Sequence, residues 1–490
     1  MCRVFLALNY RLSGYANSLA AGSFFDFVHG SCLTFISTYG TIIIDVFSFY
    51  FKRVLICGKE IVFLKIKLSR VIFISVLIAL AVFLTACGGG TTTTNPPDSH
   101  QNPERPDREP QLLETGSGIT VIRAADWEAE HPDIYASYLK NNDNSEHYQY
   151  PDAYPYIKVL YEGMGFAFDY NSPRGHTYSL TDIDATGRPH PFSNCFTCKT
   201  PDLHALIAED GTEVYAIPYE DLKDQMIEPV SCFNCHANDP SGLTVTHQYL
   251  SHGLGSDFSD VAPESLACAQ CHVEYHFDPI TREVILPYNN LESMNPDSIL
   301  NYYNNLLLSD GQAFADYVNP RSGVRQIKVQ HPEFETFYGS GSVHKGSFTC
   351  ADCHMGYVDN SNGERFVSHE WISPLAHPNL VAENCSKCHT GNMAEYVQGI
   401  QSEANERTNA VGILLEELTE ALVLAVDSGE YSDEELEPVR TKFRDAQFYW
   451  DFVFVENSDG AHNSSLTHQL LEKAEMLYDE AKALLDALVN

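Results

Sequence analysis

Positive charge is scarce in this chain. Its 490 residues carry 30 Lys and Arg against 66 Asp and Glu, a formal net charge of −36. The deficit is uneven: residues 87–490 carry 22 basic against 63 acidic residues. Such a surface repels phosphate backbones, which excludes nucleic acid as a partner. An anionic substrate would be repelled as well, unless a site gathers local positive charge. Spare cysteine is missing too. Of 14 cysteines, ten stand in five Cys-x-x-Cys pairs, Cys87 ends an apolar run, and Cys2, Cys32 and Cys57 lie upstream of it. None after residue 87 remains for a conventional disulfide. Alternating strand-like runs are absent from residues 118–400, where short segments rich in Pro, Gly, Asn and aromatics separate the cysteine pairs. The composition, 44% hydrophobic and 20% charged, is nevertheless that of a largely globular chain of two or three domains.

The N-terminus reads as an export signal. Lys65, Lys67 and Arg70 precede an apolar run from Val71 to Leu84, and "LTAC" ends it at Cys87. The run is short for a membrane span. A lipoprotein signal over 61–87, with lipid on Cys87, fits better and places the protein outside the cytoplasm, in the periplasm or on the outer face of the membrane. Residues 1–60 are a doubtful extension. No methionine separates Met1 from Met164, so a start near the signal would use another codon, such as Val62 or Leu64. Residues 88–117, rich in Gly, Thr and Pro, read as a flexible tether.

A mainly α fold with little β structure follows: a domain over 118–400 whose core large cofactors would supply, then long helices over 401–490. A short helix is expected at 127–140. Leu415, Leu418 and Leu422 share one helical face. Asp427-Ser428-Gly429 stops that helix, and "SDEE" at 432–435 is a capping box that opens the next. Leu470, Ala474, Leu477, Ala481, Leu484 and Leu488 form a seam that asks for a partner helix, either within the chain or in a homodimer.

Four cysteine pairs continue into histidine. They are Cys232 and Cys235 with His236, Cys268 and Cys271 with His272, Cys350 and Cys353 with His354, and Cys385 and Cys388 with His389. Two cysteines at this spacing attach one porphyrin, and the adjacent imidazole binds its iron. Zinc would use two such pairs per ion, leaving a fifth unmatched and the histidines unexplained. The first pair, Cys195 and Cys198, continues into Lys199. An amine binds iron only as the neutral base. It also lacks the second ring nitrogen by which a histidine ligand is oriented. Lys199 therefore marks either drift at a redundant haem or a haem whose other face is open for chemistry.

The chain resembles the pentahaem cytochrome c nitrite reductases, the ammonia-forming enzymes, in which the lysine motif comes first. "DYNSPRGH" (169–176), "CHVEYHFD" (271–278), "KVQHPEFET" (328–336), "SHEWISP" (368–374) and "FYWDFVFVENSDGAHN" (448–463) agree in order with the five motifs. The resemblance implies five haem c groups and nitrite as substrate, taken to ammonium in six electrons at the Lys199 haem. Arg174, Tyr275 and His331 would face the open side. Taken alone, Pro-Arg-Gly is an ordinary turn, and the other two are ordinary packing or turn residues. The resemblance further implies one calcium ion on Glu274, Gln330 and the carbonyls of Tyr275 and Lys328. It implies distal iron ligands His176, His344, His369 and His462, with His377 and His468 as rivals to the last two. A membrane-associated quinol-oxidising cytochrome is the expected donor, reached through the lipid anchor. The competing readings are a multihaem electron carrier without catalysis, and a hydroxylamine or sulfite reductase at the same haem.

Overall fold

The second and fourth Cys-x-x-Cys motifs fold as helical turns that a polar residue opens, Ser231 and Thr349. The computed structural model describes residues 109–489 except 117 and 310. Helix α1 (Pro132–Leu139) starts on Pro132, so it is shorter than the stretch 127–140, and a 3-10 turn at Ala124–Trp127 precedes it. Helix α2 (Pro201–Asp210) follows the lysine motif directly. Thr200 caps it through Asp202 N at 3.1 Å, and Pro201 occupies its first turn. Helices α3 (Cys232–His236) and α5 (Cys350–His354) are motifs themselves, and α4 (Pro263–Ala269) leads into the third. In α5, Thr349 and Asp352 form a reciprocal capping box. One helical turn thus sets both cysteines and the following histidine on one face.

Strands are short, as expected. Strand β1 (Gln111–Leu112) pairs in parallel with β2 (Thr244–Val245), and three two-stranded antiparallel ribbons complete the β structure among the described residues. Strand β1 corrects the tether boundary of 117. Leu113 N donates to Val245 O at 2.9 Å and Leu113 is buried, so the folded part already includes residues 111–113. The extension 1–60, the signal 61–87 with Cys87, and most of the tether lie outside the described residues. No described helix is long and apolar enough to cross a membrane.

Three long helices close the chain: α6 (Met393–Ser428), α7 (Asp433–Phe454) and α8 (Ser464–Val489), packed on one another. Helix α6 begins on the Asn392 cap, upstream of the composition change at 401, and ends on Gly429 at φ 65°, the left-handed stop expected. The Ser432–Glu435 capping box opens α7. Leu415, Leu418 and Leu422 are buried. In α8, Leu470, Ala474, Leu477 and Ala481 are buried within the chain's own helices, and Leu485 rather than Leu484 continues the seam. That seam is therefore filled without a second copy.

The protein core is more extensive than a cofactor-filled interior would require. One apolar cluster runs from Tyr156 to Leu485 and joins α6–α8 to the segments around the first three motifs. Between residues 338 and 403, however, the only buried hydrophobic residues are Ala351 and Leu380. The region of the last two motifs is the part whose core the protein does not supply.

Helix α7 reaches into the motif region through Asp451, which is fully buried. It accepts from Val329 N at 2.9 Å, from Tyr161 Oη, and from Lys328 Nζ at 3.3 Å. Asp451→Ala would strand the buried Lys328 ammonium at a cost of about 3–5 kcal/mol. Guanidinium unfolding followed by circular dichroism should show that loss, and Lys328→Met with Asp451→Leu should recover most of it.

Candidate functional site

Four pairs of imidazoles stand at one spacing. Ring centroids of His236 and His369 are 6.3 Å apart, His272 and His176 6.1 Å, His354 and His462 6.0 Å, and His389 and His344 6.1 Å. Metal–imidazole bonds of about 2 Å on opposite sides of one iron place two such centroids about 6 Å apart. Each pair thus fits one haem iron and joins a motif histidine to one expected distal residue. The rivals are elsewhere: His377 packs against Gly356, and His468 lies 3.9 Å from Glu403. His331 also stands 6.1 Å from His272. It belongs to the segment that brings Glu333 Oε2 to 3.5 Å from His272 Nδ1, the side turned away from an Nε2-bound metal.

The outer nitrogens carry the same message. Nδ1 of His236 meets Gly242 O at 2.6 Å, His354 meets Ile372 O at 3.0 Å, and His369 meets Val367 O at 3.1 Å. His462 Nδ1 meets Glu456 Oε1 at 2.6 Å. An acceptor at Nδ1 holds the proton there and directs the Nε2 lone pair at a metal.

None of the ten motif cysteines is tied up in a disulfide, as porphyrin attachment requires. The Cys198 and Cys271 thiols are neighbours, and so are those of Cys268 and Cys350. The third motif therefore lies between the first and the fourth. A triplet of Cys198, His247 and Cys271 also has metal-ligand spacing, but both cysteines belong to haem motifs. In the sequence all ten cysteines look equivalent, and in the structure one of them, in the last motif, stands apart. Cys353 is half-buried like the cysteines before it, whereas Cys388 is exposed. The cause is local: residues 338–403 supply almost no apolar wall, so the protein alone does not enclose Cys388.

Lys199 follows Cys198 at the end of a tight turn, and its carbonyl accepts from Ser179 Oγ at 2.7 Å. Its Nζ has no hydrogen-bond partner among the described residues. Around this motif the structure gathers Tyr275 and His331, and it ties Arg174 to a carboxylate. Arg174 is held at three of its five N–H donors: Nε and Nη2 bind Asp182 at 2.8 and 2.5 Å, Nη1 binds Ser145 O, and the guanidinium lies over the Tyr178 ring. At Gly175 a Cβ would fall 1.9 Å from Asn141 O. Arg174 and Gly175 thus fix the loop that presents His176.

The cation near Tyr275 is Arg188. It lies within electrostatic range of Tyr275, Tyr170 and Cys195, stacks on Phe166 at 4.0 Å, and keeps a buried Nη1 without a partner. A Cβ on Gly165 would come 2.8 Å from Arg188 Cγ, so glycine there makes room for the side chain. In the sequence Arg188 sits in the plain turn "TGRPHP" (186–191), and nearness to Cys195 was the one signal available.

His331 Nδ1 is also buried without a partner, and burial draws the imidazole down to about 4. It is therefore neutral near pH 7, and acts as a hydrogen-bond donor rather than as the imidazolium its ordinary titration suggests. Burial and neighbouring thiols and carboxylates hold the Tyr275 phenol protonated. Arg188, Tyr275 and His331 thus bring a cation and two neutral donors near the lysine motif.

Three of the expected oxygen-ligand residues, Glu274, Gln330 and Lys328, also converge. Glu274 accepts from Gln330 N at 2.6 Å and from Tyr303 Oη at 2.8 Å, and Gln330 Nε2 donates to Lys328 O at 2.9 Å. The Lys328 ammonium turns away to Asp451, so only its carbonyl serves this pocket. Burial pushes Glu274 well above the usual carboxylate range, Glu335 up to about 8 and Asp316 up to about 7. Oxygen donors of this kind, too dry to ionise alone, suit a hard cation.

Comparison with known proteins agrees with this geometry. The family model for cytochrome c552 matches residues 123–490. The cytochrome c nitrite reductase subunit NrfA of Nitratidesulfovibrio vulgaris is 27% identical, over 83% of this chain and 83% of its own. The catalytic subunit of cytochrome c nitrite reductase from Desulfovibrio desulfuricans, a protein with two calcium sites, superposes with a TM-score of 0.67 at 28% identity, covering 76% of this chain and 87% of that one.

If all five cysteine pairs carry porphyrin, denatured holoprotein will leave all ten motif cysteines unlabelled by iodoacetamide. Peptide mass spectrometry reads this directly, and an alkylated pair would remove its haem from the scheme. Cys388 is the residue where incomplete attachment would show first.

Proposed function

The chain belongs to the cytochrome c552 family, and from that premise we propose that it reduces nitrite to ammonium at a haem held by Cys195, Cys198 and Lys199. One observation carries this reading. Four motifs each meet a second imidazole, while the lysine motif meets a tyrosine together with an arginine and a histidine that each keep one buried nitrogen unpartnered. In this reading His236 with His369, His272 with His176, His354 with His462 and His389 with His344 ligate four electron-transfer haems, and the fifth keeps one face for substrate.

Bound haem iron supplies the electrons and the coordination position for the nitrite nitrogen. The rest falls to the chain. Arg188 offsets the charge of the anion in a protein whose surface is strongly acidic. Its free Nη1 sits in a site too dry for water to compete strongly. Tyr275 and neutral His331 donate hydrogen bonds to the oxygens, where charge develops as N–O bonds weaken. Both can pass protons and be reprotonated through neighbouring polar groups. Nitrogen passes from +3 to −3, so six electrons must arrive at one place, which four feeding haems make possible.

Glu274, Gln330 and the carbonyls of Tyr275 and Lys328 would hold a calcium ion behind Tyr275. Its charge would let Glu274 ionise and would fix the tyrosine backbone. We also assign Cys87 as the lipidated residue of an exported enzyme; palmitate labelling lost in Cys87→Ala tests that.

The decisive experiment pairs spectroscopy with turnover, using a reduced viologen as donor. Wild type should show one high-spin haem in five and produce ammonium. Lys199→His should lower that rate more than tenfold. Five low-spin haems and untouched nitrite would instead identify an electron carrier, while hydroxylamine or sulfite turnover without nitrite turnover would redefine the substrate.

The two arginines should separate cleanly. Arg188→Gln should raise KM for nitrite and lower kcat by about 10²-fold. Arg174→Gln should perturb the low-spin spectrum of the haem bound by His176. Chelation with EGTA should lower both the thermal midpoint and activity, and added calcium should restore them; Glu274→Gln should abolish that response.

A further inference from the structure

The second residue between the cysteines is polar in the first three motifs: Thr197, Asn234 and Gln270. All three are buried, and all three lead to one pair of buried side chains, His204 on α2 and Thr246 just after β2. The corresponding residues of the fourth and fifth motifs behave differently: Asp352 caps its own helix, and Lys387 is exposed in a 3-10 turn.

The bonds are specific. His204 Nε2 lies 2.8 Å from Thr197 O, a carbonyl that can only accept, so the proton sits on Nε2. Nδ1 is then an acceptor, and Thr246 Oγ1 donates to it at 2.5 Å. Thr246 N donates to Gln270 Oε1 at 2.8 Å, and Gln270 Nε2 donates to Asn234 O at 2.6 Å. Tyr249 Oη donates to Gln270 O and stands 3.9 Å from Cys198 Sγ. The His247 ring lies over His204 with centroids 3.6 Å apart. Burial holds His204 down to about 4, which keeps it neutral with this one tautomer.

We propose that His204, together with Thr246, is a positioning residue that ties the first three haem-attachment loops into one rigid unit and so sets the orientation of the Lys199 haem against its neighbours. The inference rests on the haem assignments above but not on nitrite as substrate. The bond to Thr197 O grips the turn immediately before Cys198 and Lys199, while the bonds to Gln270 and Asn234 grip the turns before Cys271 and Cys235. A buried network of this kind is satisfied as a whole, and loss of one member strands its partners. Supporting bonds of this sort hold reacting groups in place, and small misplacements cost large factors in rate.

Three variants of the full holoprotein test this: His204→Phe, which keeps a ring and loses both bonds; His204→Gln, which can restore a donor and an acceptor; and Thr246→Val, which keeps volume and loses the hydroxyl. Haem content by intact mass establishes maturation. The readouts are the reduction midpoint and high-spin spectrum of the Lys199 haem, then viologen-driven kcat. His204→Phe and Thr246→Val should shift midpoint and spectrum and lower kcat by about 10–100-fold with KM little changed; His204→Gln should sit close to wild type. Unchanged midpoints and spectra with only a lower thermal midpoint overturn the proposal, as does equality of the Phe and Gln variants. If His204→Phe does not load five haems, Thr246→Val decides on the same readouts. If wild type fails to reduce nitrite, the functional reading falls, while midpoints and spectra still judge this one.

Discussion

An iron in a porphyrin plane accepts its two remaining ligands from opposite sides, and that requirement governs this fold. A motif histidine is placed locally, by one helical turn. In the proposed ligation its opposite number comes from elsewhere in the chain: His369 for His236, His176 for His272, His462 for His354 and His344 for His389. The four centroid distances of 6.0–6.3 Å record the same constraint met four times. Loops that contain little regular structure are held to it by hydrogen bonds at the outer nitrogens and by close backbone approaches such as Gly175 against Asn141. The long helices form the rigid wall behind them, and Asp451 carries that rigidity to Val329 and Lys328, next to the pocket of Glu274 and Gln330.

What the sequence made legible is what short-range chemistry decides. Attachment motifs, the capping box at Ser432, the stop at Gly429 and the apolar face of α6 depend on neighbours a few residues away. The surroundings of each arginine do not. Arg174 sits in a conspicuous string, yet Asp182, a helical segment away, claims its guanidinium. Arg188 sits in an unremarkable turn, and only folding brings it to Tyr275. The choice between His369 and His377 is likewise tertiary, since both stand in similar surroundings along the chain. So is the enclosure of each attachment thiol: nothing in "CSKCH" separates Cys388 from its nine counterparts until the packing around it is known. The end of the tether is not legible in the sequence because a two-residue strand has no periodicity to detect, and its partner, Thr244–Val245, is remote in sequence. The α8 seam drifted from Leu484 to Leu485 because a straight helix does not keep a seven-residue repeat in register.

Charge in this protein is organised by contrast. The surface is acidic, while the interior around Tyr275 and Glu274 is dry enough to suppress ionisation of carboxyl, phenol and imidazole groups alike. Arg188 remains a cation there because guanidinium keeps its proton under conditions that neutralise the others. A small anion that reaches this interior meets the one environment in which its charge is matched rather than opposed.

The stretch from residue 338 to 403 buries only Ala351 and Leu380 among its apolar residues, and this bears on how the protein is made. Before porphyrin arrives, that stretch has no apolar interior to collapse around, so its last two attachment motifs stay accessible while the aromatic core and the three long helices can already consolidate. Biogenesis thereby acquires an order: the scaffold first, the peripheral haems last. A chain that misses those two cofactors leaves its unfinished region open to proteases, which makes completeness of loading a condition of survival.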